Sequence, residues 1–150
     1  MIIDALWSLS NLTDNDKESL DFCLKTDIVP AVAHYITPSS ILQIIIPSLR
    51  IIGNLLSDTN ELTEKVIQSG IITNLFSVLD YQKASVQKEA LWAISNITAG
   101  PSRHIEMVFQ NSKYIEKLIQ MAEISAQQVI VTESVWVLSN ATSNGSKGVI

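Results

Sequence analysis

The chain has 150 residues, with 10 basic against 15 acidic side chains and a formal net charge of −5. That balance argues against a surface built for nucleic acid or an anionic membrane, and it leaves room for a basic partner. The single cysteine, Cys23, cannot form an internal disulfide, which fits a reducing compartment; in its apolar helical pattern it reads as a buried structural thiol. No stretch approaches the roughly 20 apolar residues a membrane-spanning helix needs. The apolar run 41–56 is broken by Gln43, Pro47, Ser48, Arg50, Gly53 and Asn54. No signal peptide is visible, because Met1 leads directly into a helix-like stretch.

Taken in chain order, 1–13 is predicted as a helix without a cap signal, its apolar stripe formed by Ile2, Ile3, Leu6, Leu9 and Leu12. The polar break TDND (13–16) offers capping side chains for a short helix over 17–25 carrying Leu20, Cys23 and Leu24. Thr26 or Asp27 can cap a second helix over 28–36, with Pro30 tolerated in its first turn. TPSS (37–40) closes that helix and opens a third over 41–56. Pro47 is expected to kink this third helix or to mark its true start, since it lacks an amide hydrogen and crowds the preceding turn.

The next stretch repeats the scheme. SDTN (57–60) caps a helix to about Ser69, Gly70 terminates it, 71–79 forms a second helix, and after DYQK a third runs over 84–99 to Gly100 and Pro101. Three more helices are predicted over 102–110, 113–124 and 127–142, and 143–150 is expected to fray. QVIVTESVWVL has β-prone Val and Ile, but its place in the third-helix phase overrides that preference.

The third helices share a constellation. In EALWAISNITAG (89–100), Trp92 and Asn96 lie four residues apart on one helical face, and Glu89 precedes the Trp by three. The pattern returns as Glu133, Trp136 and Asn140 in TESVWVLSN, and as Asp4, Trp7 and Asn11 in IDALWSLSN. LRIIGN keeps the amide as Asn54 and puts Arg50 where the Trp would be. The four Asn are spaced 43, 42 and 44 residues apart, inside the period of roughly 40–47 residues expected for armadillo or HEAT arrays. Three helices per unit, the first of them short, favour armadillo, because HEAT units have two. The expected division is a partial repeat 1–13, full repeats 14–57, 58–100 and 101–143, and a frayed tail 144–150. With its earlier helices absent, 1–13 is expected to expose apolar surface that could promote self-association.

In a stack of three-helix units, one helix per unit lines the concave face. A lone Trp is usually core, but an Asn buried in mid-helix at every repeat would need a partner each time. The recurring face is therefore predicted to be exposed in a groove. There Asn can bond the backbone of an extended peptide, and adjacent indoles can sandwich the stem of a Lys or Arg. Asp4, Glu89 and Glu133 stand where the cationic ends would arrive, so the predicted ligand is an extended basic peptide.

These residues resemble the importin α family, the armadillo adaptors that carry nuclear localisation signals. The Trp-x-x-x-Asn signature covers the chain in four phases, and its order, Arg50 with Asn54, then Trp92 with Asn96, then Trp136 with Asn140, is similar to the family's repeats six, seven and eight preceded by the third helix of repeat five. The resemblance implies an all-α, right-handed superhelical solenoid and a nuclear import adaptor working in cytoplasm and nucleus. It implies that Trp92, Asn96, Trp136 and Asn140 form the minor signal-binding site with Glu89 and Glu133, and that Ser95 is an additional candidate. Trp7, Asn11, Asp4 and Asn54 would continue the ladder, while Arg50 would interrupt the Trp array and repel like charge in the cargo. The family often lacks Asn at the position of Asn11. Importin β partnership belongs, by the same resemblance, to a segment of full-length members outside this stretch.

Other chemistries have little support. His34 and His104 stand alone without HExxH spacing and read as surface or groove-edge residues; GxSxG, GxGxxG and GxxxxGK[ST] do not occur, so no enzyme, metal or cofactor is expected. A generic armadillo scaffold for an acidic or helical partner predicts several Lys or Arg at the signature position, where only Arg50 occurs. Asn11, Asn96, Asn140 and Asn144 begin formal glycosylation sequons, but three of these are the mid-helix ladder Asn and nothing signals secretion.

Overall fold

The computed structural model describes residues 1–14 and 16–145. Its helices are α1 (Ile2–Leu12), α2 (Lys17–Lys25), α3 (Ile28–Ala33), α4 (Leu42–Leu56), α5 (Asn60–Gln68), α6 (Ile71–Ser77), α7 (Ala84–Thr98), α8 (Ser102–Phe109), α9 (Ser112–Ile124) and α10 (Gln128–Asn144). A short 3-10 turn, Val78–Asp80, extends α6. No strand occurs among the described residues.

Local chemistry sets the helix ends. Asp16 accepts from the Ser19 amide at 3.2 Å and from the Ser19 hydroxyl, and the hydroxyl bond is the main cause holding its carboxyl below the usual range. Thr59 caps α5 by accepting from the Leu62 amide at 3.2 Å, and Asn111 caps α9 through the Lys113 amide at 3.1 Å. Gly70 has φ 84°, a left-handed conformation that closes α5 and turns the chain into α6.

Three predicted boundaries move. α3 stops at Ala33 instead of Ile36, and side chains of the next unit take up its loose end: Asn74 Nδ2 donates to the carbonyls of Ala33 and Ile36, both at 3.2 Å. Tyr81 donates its phenol to the Ser40 carbonyl at 2.9 Å just beyond. Pro47 does not mark the start of α4, which begins at Leu42 and runs through the proline; Gln43, whose carbonyl loses its helical donor there, is exposed. Ser143 and Asn144 are helical, with the Gly145 amide closing the last turn on the Ala141 carbonyl at 2.9 Å. The remainder of the expected tail, 146–150, lies outside the described residues.

The helices stack as one third-position helix, α1, followed by three three-helix units. The third helices pack in succession, α1 on α4, α4 on α7 and α7 on α10. A single apolar core follows them from Leu6 to Ala141, so each unit is stabilised by its neighbours rather than by a common centre. Leu49 and Leu91, equivalent in successive units, are fully buried, a burial worth about 1.5–3 kcal/mol per side chain. The same phase is the buried Leu6 on α1 and the exposed Val135 on α10. Cys23 is fully buried, and its thiol pKa is pushed up by that burial. His34 is exposed, but His104, expected at the surface, is completely buried in the first turn of α8.

Candidate peptide groove

The ladder helices line one side of the stack. Asp14, Arg50 and Asn54 on the near side, Lys88, Glu89 and Trp92 in the middle and Glu133 on the far side enclose an open pocket of about 430 Å³. Two smaller recesses lie where the third helices end. One, of about 180 Å³, includes Thr13, Asp14, Leu20, Asn54, Ser57 and Asp58; its equivalent one unit on, of about 210 Å³, includes Leu56, Ser57, Asp58, Thr63, Asn96 and Gly100.

The three indoles are not equally available. Trp7 is 37% and Trp136 59% exposed, whereas Trp92 is only half-exposed. Gly53 is the reason. A Cβ added there would collide with Cζ3, Cε3 and Cη2 of Trp92, so the indole lies directly on the backbone of α4. The equivalent of Gly53 one unit on is Ser95.

The Asn ladder has a role in the stack itself. Asn54 Nδ2 donates to the Ser10 carbonyl at 3.0 Å and Thr13 Oγ1 at 3.1 Å, Asn96 Nδ2 to the Gly53 carbonyl at 3.1 Å, and Asn140 Nδ2 to the Ser95 carbonyl at 3.2 Å. Each carbonyl acceptor belongs to the residue just before the preceding ladder Asn. The partners that argued against burial are thus supplied at every step by the neighbouring helix, and Asn54 is only 8% exposed, contrary to the expectation of a fully open ladder. Asn96 and Asn140 are half-exposed and Asn11 is exposed.

The charges also divide. Arg50 Nη2 donates to Glu89 Oε1 at 2.7 Å, and its guanidinium carbon lies 6.0 Å from the centre of the Trp7 ring. The bond to Glu89 is the main cause raising the Arg50 pKa, with the Coulombic pull of Glu89 and Asp14 in the same direction. Arg50 therefore makes within the chain the contacts expected of a ligand cation, an indole on one side and a carboxylate on the other. Glu133 is half-exposed in the same pocket, and Asp4 is exposed beside the chain's amino group at 3.2 Å. Ser95 donates its hydroxyl to the Trp92 carbonyl of its own helix at 2.8 Å.

The structure therefore brings Arg50, Asn54, Glu89, Trp92 and Glu133 into one pocket, places Asn96 in the adjoining recess, and leaves Trp7, Asp4 and Asn11 on the α1 side and Trp136 and Asn140 on α10. Sequence reasoning overlooked Gly53 as the seat of Trp92 and overlooked the recess built by Ser57, Asp58 and Thr63. A glycine in the interior of a long apolar helix was the available signal for the first. Among the described residues, no group of His, Cys, Asp or Glu is arranged to hold a metal ion.

Three-helix units stacked so that one helix from each faces a shared groove define an armadillo-repeat solenoid, and this is the fold of the chain. An Armadillo/beta-catenin-like repeat model matches residues 59–99. Importin subunit alpha-1a of Oryza sativa subsp. japonica is 33% identical over 109 residues, 72% of this chain and 20% of the relative. Importin subunit alpha-3 of Arabidopsis thaliana is 34% identical over 93 residues, 61% of this chain and 17% of the relative. A designed armadillo repeat protein in complex with the peptide (KR)4 superposes with a TM-score of 0.89 at 25% identity, covering 97% of this chain and 59% of that one. Computationally designed armadillo repeat proteins for modular peptide recognition share the fold, with a TM-score of 0.89, 20% identity, and 99% and 60% coverage. The chain spans about a fifth of the length of the importin relatives it matches. Over the matched span the chain is similar to part of the importin α armadillo array.

Proposed function

We propose that the chain binds extended basic peptides of the nuclear localisation signal type in the α7–α10 part of the groove, and so serves nuclear import between cytoplasm and nucleus. The observation that carries this reading is an indole on each of two successive third helices, Trp92 in the pocket that Glu133 also lines and the exposed Trp136 three residues after Glu133. Two indoles on successive helices receive the aliphatic stem of a Lys or Arg, and the carboxylate meets its charged end. Asn96 and Asn140 have their amide donors directed at the preceding helix, and their carboxamide oxygens can accept from the peptide backbone. The structural neighbour that holds (KR)4 supports a basic ligand. Importin β, a partner implied for full-length importin α, would engage a region other than these repeats.

Each cation–π contact of this exposed kind contributes only ~0.5–1 kcal/mol, so affinity for a short peptide is modest. Titration of a fluorescent Lys/Arg-rich peptide is expected to show saturable binding that Trp92→Ala combined with Trp136→Ala abolishes. Equal binding by the double variant would sink the assignment. A generic scaffold for another partner would leave the basic peptide unbound by the wild type as well.

A further inference from the structure

The recess that holds Asn96 is bounded at one end by Gly100. Against Gly100 lies the ring of His104: a Cβ on the glycine would stand 2.9 Å from Nδ1. His104 is 0% exposed, and neither ring nitrogen has a hydrogen-bond partner. Ile105 and Val108 on the same helix are fully buried apolar side chains, as is Ile97, whose carbonyl lies 3.2 Å from the same Gly100 Cβ position. A neutral imidazole presents one donor and one acceptor, whereas the protonated ring presents two donors and a full charge. Such a ring cannot stay in this site, because an unpaired charge in apolar surroundings is far more costly than an unpaired neutral group.

We propose that His104 is a proton-sensitive latch at the α7–α8 corner, seated behind Gly100 when neutral and expelled when protonated, so that acidification dismantles the recess around Asn96 and weakens basic-peptide binding. The peptide consequence rests on the function proposed above; the latch itself does not. Burial is the largest influence pushing the His104 pKa down. Arg103 on its own helix acts in the same direction, and Glu64 on α5, its ion-pair partner, opposes it more weakly. With the pKa of the closed form below the ordinary value of about 6.5, the open form takes up the proton more readily. The closed corner is therefore intact above about pH 6.5 and is progressively lost as pH falls below that value towards the pKa of the closed form.

The test compares wild type with His104→Gln and His104→Leu at pH 7.5 and 5.5, reading thermal melting by circular dichroism and Kd for a fluorescent Lys/Arg-rich peptide. The wild type is expected to lose melting temperature on acidification well beyond both variants. Its peptide Kd is expected to rise up to about tenfold more than theirs, the limit set by titration one pH unit below an ordinary His pKa. If both variants fold poorly, titration of the His104 ring protons by NMR in the wild type decides: a pKa at or above the ordinary value overturns the latch, and one well below it, with corner amides exchanging faster at low pH, supports it. The same loss of melting temperature in wild type and variants overturns it. A differential melt with no differential affinity overturns its coupling to the recess. No peptide binding at either pH refutes the functional reading, while the melting comparison still decides the latch.

Discussion

On α1 and α4 the groove face holds Trp7 and Arg50, the latter tied to Glu89 of α7, with Asn54 buried; on α7 and α10 it holds Trp92, Trp136 and Glu133, with Asn140 half-exposed. The two regions descend from the same four-residue ladder and differ chiefly in one side chain, Arg50 in place of an indole. That guanidinium pairs with Glu89 and lies 6.0 Å from the centre of the Trp7 ring. In the far region the position equivalent to Arg50 carries Trp92, and Trp136 is 59% exposed against 37% for Trp7. Thus the repeat supplies the same framework twice, and Arg50 in place of an indole gives the near region an internal ion pair.

The sharpest break of this comparison is Gly53→Ala. The added methyl must displace the Trp92 ring or the backbone of α4, an overpacking cost near the top of the usual range, about 3 kcal/mol, with a red shift of tryptophan emission as Trp92 is expelled. Ser95→Ala, at the equivalent place one unit on, is expected to change stability by less than about 0.5 kcal/mol, because only a hydroxyl bonded to its own helix is lost. Chemical denaturation of the pair measures the difference.

Next in size is the ladder amide. Asn54→Ala leaves the buried Thr13 hydroxyl and the Ser10 carbonyl without their shared donor and is expected to cost about 2 kcal/mol. Asn140→Ala, with one bond and access to water, is expected to cost under about 1 kcal/mol, and equal losses in urea unfolding would show that the two regions are alike after all.

Arg50→Ala opens the near region. Its ion pair is partly exposed, so the stability loss is expected to be below about 1 kcal/mol. Release of Glu89 and Trp7 should tighten a basic peptide by about two- to fivefold, the equivalent of one exposed cation contact. Unchanged or weaker binding in a fluorescence titration would mean that Arg50 contributes something other than closure. The smallest effect is expected from Glu133→Gln, a loss of about twofold at low salt that vanishes near 1 M salt, where the screening length is about 3 Å. A loss that persists at high salt would place Glu133 in direct packing rather than in the field of the groove.

Helices and their period were legible because they depend on neighbours three and four residues away and on punctuation by Gly70, Gly100 and the capping Asp16 and Thr59. α2 lies where its apolar pattern and cap predict it. The early end of α3 was not legible, since the side chain that receives its last carbonyls, Asn74, comes from the following unit. Nor was the burial of His104, because an isolated histidine in an amphipathic first turn looks the same whether it faces water or the neighbouring corner.

The sequence by itself determined an all-helical chain, three helices to a unit, and the single helix face on which Trp, Asn and acid recur. All of that follows from local periodicity. Tertiary structure alone decided which of those residues are spent within the stack and which remain open. Arg50 reaches Glu89 across 39 residues and Asn96 reaches the Gly53 carbonyl across 43, and contacts of that span exist only once neighbouring units have packed at a definite distance and angle.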